Sequence, residues 1–542
     1  MSNLPSPQKD RFVHVRLPAK DQWPKLLPLE HHSQSGLFNC TSLLLDRNIE
    51  NGNGARLAMR SETVSWTYDE LHRQVCQIAN VFTQYFKIEP GNRVLVYGAN
   101  SPRVGAIWLA IQKIGAVVVT VSSMLRAGEL QTLIDISMPK LVLFDRVIET
   151  EIITAVTTST AECDTLGYSS RGDELEHLMN KVPTTYATCP TLADDVSIIA
   201  FTSGTTGQPK ATVHFHRDII AICETICRHI VKPTPDDVFI STSPLAFTFG
   251  LGGLLVFPLY AGACSVLIGR YSPEQLLAAI EHYGATVCFT VPTFYQKMAK
   301  LADVKALSQL RLAVSSGEAL PGQVRNLLET KTGINLAEVL GSTEMLHAFA
   351  GSTGDAVKPG FIGPAIPGYK LAILDENGNE MPAGQVGRLA VAGPTGCRYM
   401  DDPRQSDYVQ HGWNITGDAC WMDEDGYISF HTRYDDMIIS AGYNISGLEI
   451  ENVLLEHPLV AECAVVGVPD NERGQIVAAY IVPVNDTTVD EQLTRQLQTY
   501  VKEAIAPYKY PRMIEYVATL PQTQTGKIQR FRLRSQNRKN SL

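Results

Sequence analysis

Leu71, Val75, Ile78, Ala79 and Phe82 recur at three- and four-residue intervals behind Thr67-Tyr68-Asp69-Glu70. That spacing gathers the apolar side chains on one helical face, and Thr-x-x-Glu is a capping-box pattern, so a helix is expected over about 68–85. Short apolar runs at 94–97 and 116–121 predict two strands, with an apolar helix around 104–114 between them. Two such strands joined through a helix form a parallel unit. The alternation returns after residue 200: a helix near 217–230, a strand at 238–241, a helix at 273–283, and strands at 286–290 and 310–315. The pattern predicts a large layered α/β body.

The texture changes toward the C-terminal end. Residues 363–430 read as short strands broken by turn signals such as Asp375-Glu376-Asn377-Gly378 and Asp423-Glu424-Asp425-Gly426. Beyond Arg433 come a helix over 447–456, strands at 461–468 and 476–482, and a helix over 489–505, enough for a small α+β domain of about 100 residues. The expected division is a large domain at 1–432, a joint at 433–436 and a small domain at 437–542.

Composition narrows the function classes. The 542 residues are 44% hydrophobic and 19% charged, which excludes a disordered chain and exceeds the length over which one core keeps growing. A net charge of −10 argues against a broad nucleic-acid surface; only the stretch from Lys527 onward, with Arg530, Arg532, Arg534 and Arg538, is locally basic. Eleven cysteines lie scattered without a Cys-x-x-Cys pair, and the Cys223/Cys227 pair has no second pair to complete a metal site. The N-terminal segment lacks the apolar core of a signal peptide, and no uninterrupted apolar stretch is long enough to span a bilayer. The expectation is a cytoplasmic protein that binds neither nucleic acid nor membrane.

One stretch concentrates candidate chemistry. Thr202-Ser203-Gly204-Thr205-Thr206-Gly207-Gln208-Pro209-Lys210 follows the apolar run 196–200. Glycines let backbone amides approach an anion closely, and phosphate is the leading candidate. The Walker A spacing fails, however, and Pro209 removes a backbone donor. On composition alone a flexible surface hairpin accounts for the stretch equally well.

Further motifs separate the two readings. The stretch resembles the phosphate loop of the adenylate-forming superfamily, which comprises acyl-CoA synthetases, luciferases and peptide-synthetase adenylation domains. The same superfamily's other motifs follow in order: Gly341-Ser342-Thr343-Glu344; Trp413 through Thr416-Gly417-Asp418; Arg433-Tyr434-Asp435-Asp436 leading to Gly442; and Pro521-Gln522-Thr523-Gln524-Thr525-Gly526-Lys527. Within it, Leu245-Ala246-Phe247-Thr248-Phe249-Gly250-Leu251-Gly252, Gly341-Ser342-Thr343-Glu344-Met345-Leu346-His347 and Ala506-Pro507-Tyr508-Lys509-Tyr510-Pro511-Arg512 are similar to benzoate- and 2-aminobenzoate-CoA ligases.

The resemblance implies an α/β fold: a large N-terminal domain with parallel-rich sheets and a distorted barrel-like region, and a small mobile C-terminal α+β domain. It implies an ATP-dependent acid-thiol ligase working in two steps. A carboxylate attacks the α-phosphorus of ATP to give acyl-AMP and pyrophosphate, and the thiol of coenzyme A then displaces AMP. Because a carboxylate meets an already anionic phosphate, positive charge must sit between them. Lys527 is similar to the lysine that does this, and Glu344, beside Thr343, to the residue that holds Mg²⁺ against the phosphates. Lys210, with Thr202, Ser203, Gly204, Thr205, Thr206 and Gly207, would wrap the β- and γ-phosphates. Gly341, Ser342 and the backbone of Gly317, Glu318 and Ala319 would line the base. Asp418, with Arg433 nearby, would accept hydrogen bonds from the ribose. Leu340 stands where many relatives place a tyrosine against adenine.

By the same resemblance Asp435 is the pivot of the small domain, and Ser440, Ala441 and Gly442 line the coenzyme A channel. His216, Phe247, Thr248, Gly317, Leu340, Met345 and His347 would form a short, flat, mostly apolar acid pocket, with His214 also within reach. The expected partners are an aromatic carboxylic acid, ATP, Mg²⁺ and coenzyme A, in a monomer or homodimer. Alternatives are an alkanoate ligase, an enzyme loading a carrier protein, or a noncatalytic sensor of nucleotide or acyl-adenylate. No carrier or condensation segment adjoins these motifs, which makes free coenzyme A the expected acceptor.

Overall fold

The computed structural model describes residues 5–29, 37–169, 174–203, 209–317, 320–440, 443–470, 473–485, 487–522 and 528–534. They form two compact units, one made of residues up to Leu371 together with Val391–Asn414, the other of Ala372–Ala390 and everything from Ile415 onward.

The first unit holds two mostly parallel sheets. One has six strands in the order Asp164–Tyr168, Leu141–Asp145, Arg93–Tyr97, Val117–Val121, Val196–Ser203 and Pro209–Phe215, parallel except for the last. Arg93–Tyr97 and Val117–Val121 are buried at every position, as expected of central parallel strands covered on both faces, and each fully buried Val or Leu contributes about 1.5–3 kcal/mol. The other sheet has eight strands: Ala348–Ser352, Leu336–Gly341, Leu312–Ser315, Val287–Thr290, Val238–Ser241, Cys264–Val266, Leu57–Arg60 and Ser65–Thr67, with an antiparallel pair at each end.

The helix Tyr68–Gln84 starts where the capping pattern put it. Thr67 Oγ1 accepts the Glu70 N–H at 3.2 Å, and the Glu70 carboxylate accepts the Thr67 N–H at 2.8 Å. The helix expected near 217–230 divides instead: His216–Ile222 is α-helical, and Cys223–Val231 widens into a π-helix. It ends as the Lys232 N–H reaches back to the Cys227 carbonyl, with Lys232 at φ +46°.

A further sheet, the curled half-barrel, has the strand order Lys370–Leu374, Gly387–Ala392, Trp413–Met422 and Val409–Gln410, with Ile428–Arg433 paired to Trp413–Met422. In the second unit, Val460–Asp470 pairs antiparallel with Gly474–Pro483, which pairs parallel with Met513–Tyr516. The helices Gly447–Leu455 and Glu491–Ala504 cover this sheet, and Ile450, Leu454, Leu497 and Val501 join its core.

Candidate active site

Thr202 pairs with Lys210 and Ser203 with Pro209, so residues 204–208 connect two antiparallel strands and Lys210 stands at the start of the second. A distant segment lies along that second strand. The Val213 N–H donates to the Arg398 carbonyl at 2.8 Å, the Met400 N–H to the Ala211 carbonyl at 2.9 Å, and Thr212 bridges to Tyr399. This sets the Tyr399 ring beside Lys210, whose Nζ lies 4.8 Å from the ring centroid and donates to the phenol oxygen at 3.2 Å. The Tyr399 hydroxyl donates in turn to Glu344 Oε1 at 2.6 Å.

Glu344 belongs to the tight connection between the antiparallel strands Leu336–Gly341 and Ala348–Ser352. A Cβ on Gly341 would meet the His347 carbonyl oxygen at 2.6 Å, and Leu346 sits at φ +65°. The Thr343 carbonyl accepts a 2.8 Å hydrogen bond from His214 Nε2, and the Ser342 and Tyr408 hydroxyls lie 3.2 Å apart. Glu344 is buried, while Leu340 through Thr343 are partly open.

Behind these residues lies a buried charged cluster. Asp218 Oδ2 accepts the Phe215 N–H at 2.9 Å, lies 3.3 Å from Arg398 Nη1 and 3.6 Å from His214 Nδ1. Arg398 lies against the adjoining rings of Trp23 and Phe215, 4.8 and 4.5 Å away. Burial pushes the Asp218 pKa up, but Arg398, His214 and Arg217 outweigh it and hold the value near 2. Removing one partner would strand a charge in the core.

The residues assigned to the acid pocket fall into two sets. Phe247 and Thr248 are half-buried at the start of the helix Thr248–Leu251. Met345 and His347 are buried, and His347 is enclosed by Phe249, Phe257 and Phe289 at centroid distances of 5.7, 4.9 and 6.4 Å. Its Nδ1 accepts the Ala348 N–H at 2.8 Å, and burial lowers its pKa to about 3, so the ring is neutral. A Cβ on Gly252 would lie 2.5 Å from the His347 ring. His216 is fully buried, and its Nδ1 accepts the Cys40 N–H at 3.3 Å. Gly317 is exposed at φ +99°, a conformation that favours glycine. An open cavity of about 450 Å³, lined in part by Phe12, Ile136, Met138, Pro209 and Met400, contains none of the assigned pocket residues.

In the second unit Asp418 pairs with Arg433 across antiparallel strands. Arg433 Nη1 donates to Asp418 Oδ1 at 2.5 Å and to the Thr416 carbonyl at 3.2 Å. Gly417 has φ +76°, and a Cβ there would meet Arg433 Nη2 at 2.8 Å. Asp435 lies in the single helical turn Tyr434–Asp436, and Ser440 is buried at the end of a short strand. Gly204, Thr205, Thr206, Gly207, Glu318, Ala319, Ala441, Gly442 and Lys527 lie outside the described residues, as do the side chains of Ser203 and Asp435.

Sequence reasoning missed Tyr399, Asp218 and Arg398. Nothing in their local spacing marks them; the pairing of residues 398–400 with the strand Pro209–Phe215 brings Tyr399 to Lys210 from 189 positions away and Arg398 to Asp218 from 180. Among the described residues, no group of three or more His, Cys, Asp or Glu side chains is arranged to hold a metal ion, and no helix is long and apolar enough to cross a membrane.

Comparison with known proteins shows the family. The profile of the AMP-binding enzyme family matches residues 45–398, and that of the AMP-binding enzyme C-terminal domain matches residues 449–527. A benzoate-CoA ligase of Thauera aromatica is 33% identical over 509 residues, covering 92% of this chain and 96% of the relative. The crystal structure of the anthranilate CoA ligase AuaEII in complex with anthranoyl-AMP superposes with a TM-score of 0.87 at 28% identity, covering 93% of this chain and 98% of that one. A benzoate CoA ligase from Burkholderia xenovorans LB400 gives a TM-score of 0.85 at 29% identity, covering 92% and 100%. The chain therefore belongs to the AMP-binding enzyme family, the adenylate-forming superfamily, as an ATP-dependent, AMP-forming acid-thiol ligase related to the benzoate- and aminobenzoate-CoA ligases.

Proposed function

We propose that the protein is an aryl carboxylate-CoA ligase, activating a benzoate- or 2-aminobenzoate-type acid as its adenylate and transferring the aroyl group to coenzyme A. The observation that carries this reading is the 33% identity, over 509 residues, to a benzoate-CoA ligase. His347, a neutral imidazole packed among Phe249, Phe257 and Phe289 and three residues along the chain from the buried carboxylate of Glu344, would back an apolar pocket for a flat ring.

In this reading Lys210 and the hydroxyl-bearing loop grip the β- and γ-phosphates, and the ammonium offsets the charge that develops as pyrophosphate departs. Asp418, oriented by Arg433, accepts hydrogen bonds from the ribose hydroxyls. Leu340 packs against the base. Lys527 bridges the acid and the α-phosphate in the first step. Asp435 is the pivot about which the small domain withdraws that lysine, after which Ser440, Ala441 and Gly442 admit the pantetheine thiol. Division at 433–436 into a large and a small domain belongs to this proposal.

Glu344 fits a role toward Mg²⁺. It is a buried carboxylate with Oε1 engaged by Tyr399, a hard oxygen donor of the kind Mg²⁺ takes alongside phosphate and water. Bound there, Mg²⁺ would neutralise phosphate charge.

The test is product formation from ATP, coenzyme A and a set of acids. Aroyl-CoA and AMP in equal amounts from benzoate or 2-aminobenzoate support the proposal. Preference for alkanoates, transfer only to a carrier protein, or nucleotide binding without pyrophosphate release would each point to a different protein.

A further inference from the structure

Tyr399 lies between two groups of opposite charge, Lys210 and Glu344, as a neutral neighbour of both. Its hydroxyl donates to Glu344 Oε1 at 2.6 Å and accepts from Lys210 Nζ at 3.2 Å. Among the described residues, no ion pair within 4 Å joins Lys210 to a carboxylate, although the ammonium and Glu344 touch the same oxygen atom. Neither charged group sets the ring's position. Gln405 Oε1 accepts the Tyr399 N–H at 2.8 Å, Tyr408 packs edge-on at 5.8 Å, and the neighbouring residues pair with the strand Pro209–Phe215 on both sides.

We propose that Tyr399 is a positioning residue for the triphosphate end of the site: its hydroxyl holds Lys210 and Glu344 apart, so that ammonium and carboxylate meet phosphate and metal instead of each other. The inference rests on the reading of Lys210 and Glu344 given above. A phenol suits the task because it carries one O–H to give and lone pairs to accept, so it serves an anion and a cation at once while remaining uncharged. Without the hydroxyl, two opposite charges in a largely desolvated site would close on one another, and binding substrate would first require that pair to be separated.

Tyr399→Phe keeps the ring and removes one oxygen. Calorimetric titration of wild type, Y399F, K210Q and the double variant with Mg·ATP, and separately with AMP in the absence of metal, reads the effect without relying on turnover. Y399F should bind Mg·ATP about tenfold or more weakly, the size expected for a hydrogen bond to a charged group, and bind AMP within twofold of wild type. Adding Y399F to K210Q should cost far less than adding it to wild type, since the cation that would collapse onto Glu344 is gone. Unchanged Mg·ATP affinity, equal losses for AMP and Mg·ATP, or strict additivity with K210Q would each overturn the proposal. Should Y399F not fold, Gln405→Met frees the backbone that holds the ring. Weaker Mg·ATP binding with unchanged AMP binding would then support the inference, and parallel behaviour of the two ligands would overturn it. A wild-type protein that binds no Mg·ATP and releases no pyrophosphate sinks the functional reading itself; an active wild type with an indifferent Y399F sinks only the role of Tyr399.

Discussion

Arg433 Nη1 donates a 2.5 Å hydrogen bond to Asp418 Oδ1 from directly across an antiparallel strand pair. Asp418 is 6% exposed, so its carboxylate is largely shielded from water and aimed by a partner that leaves acceptor capacity unused. If that capacity serves the ribose, Asp418→Asn should weaken ATP and AMP alike by about tenfold while the KM for the acid stays within twofold. Equilibrium binding of both nucleotides checks this; selective loss of ATP alone would speak for a role at the phosphates instead.

The acid pocket makes a separate prediction. Gly252→Ala sets a methyl group against the His347 ring, which the surrounding phenylalanines leave little room to yield. The KM for an aryl acid should rise about tenfold or more, with AMP affinity unchanged. Because burial holds the His347 pKa near 3, kcat/KM for the acid should show no ionisation of this residue between pH 6 and 8. A G252A enzyme with wild-type KM would remove His347 from the pocket.

Stability should depend on pH through a partly buried pair in the first unit. His72 Nε2 lies 3.5 Å from Asp46 Oδ1, which also receives Lys113 Nζ at 2.7 Å. The hydrogen bond to Asp46 is the largest cause raising the His72 pKa from 6.5 to about 9. The folded state thus favours protonated His72: its contribution is complete below pH 6.5 and fades as pH climbs through 9. The melting temperature of wild type should exceed that of His72→Gln by an amount that shrinks over this range, on the order of 1–3 °C in total. A gap that widens with pH would contradict the pairing.

Rotation about Asp435 predicts a split between the half-reactions. Asp435→Pro, which fixes φ, should leave pyrophosphate release on mixing acid with ATP within about threefold of wild type while suppressing thioester formation by about tenfold or more. Single-turnover measurement of acyl-AMP and acyl-CoA separates the two steps, and equal loss of both would remove the pivot.

Much of the fold was legible because its signals are local. Thr67 and Glu70 announced a helix, and the helices and strands expected over 273–283 and 238–241 form at Pro273–Tyr283 and Val238–Ser241. The π-helical widening after Ile222 was not legible, since apolar spacing alone does not distinguish it from an α-helix over so few turns. Lys210, Glu344 and Asp418 were legible as candidates because each sits in a compact motif. Tyr399, Arg398 and Asp218 were not, because their partners are chosen by long-range strand pairing that no local spacing encodes. His216 illustrates the converse: a histidine beside a motif, whose ring nitrogen accepts the Cys40 amide in the core.

The central claim is activation of an aryl acid through an adenylate, with a lysine from the C-terminal segment bridging acid and phosphate. Chromatographic quantification of acyl-AMP and acyl-CoA from benzoate, 2-aminobenzoate and an alkanoate series, for wild type and Lys527→Ala, tests it most directly. The account predicts aroyl products from wild type and acyl-AMP formation slowed about 10²- to 10³-fold in the variant. Alkanoyl products in preference to aroyl ones, or acyl-AMP appearing at an undiminished rate in Lys527→Ala, would contradict it.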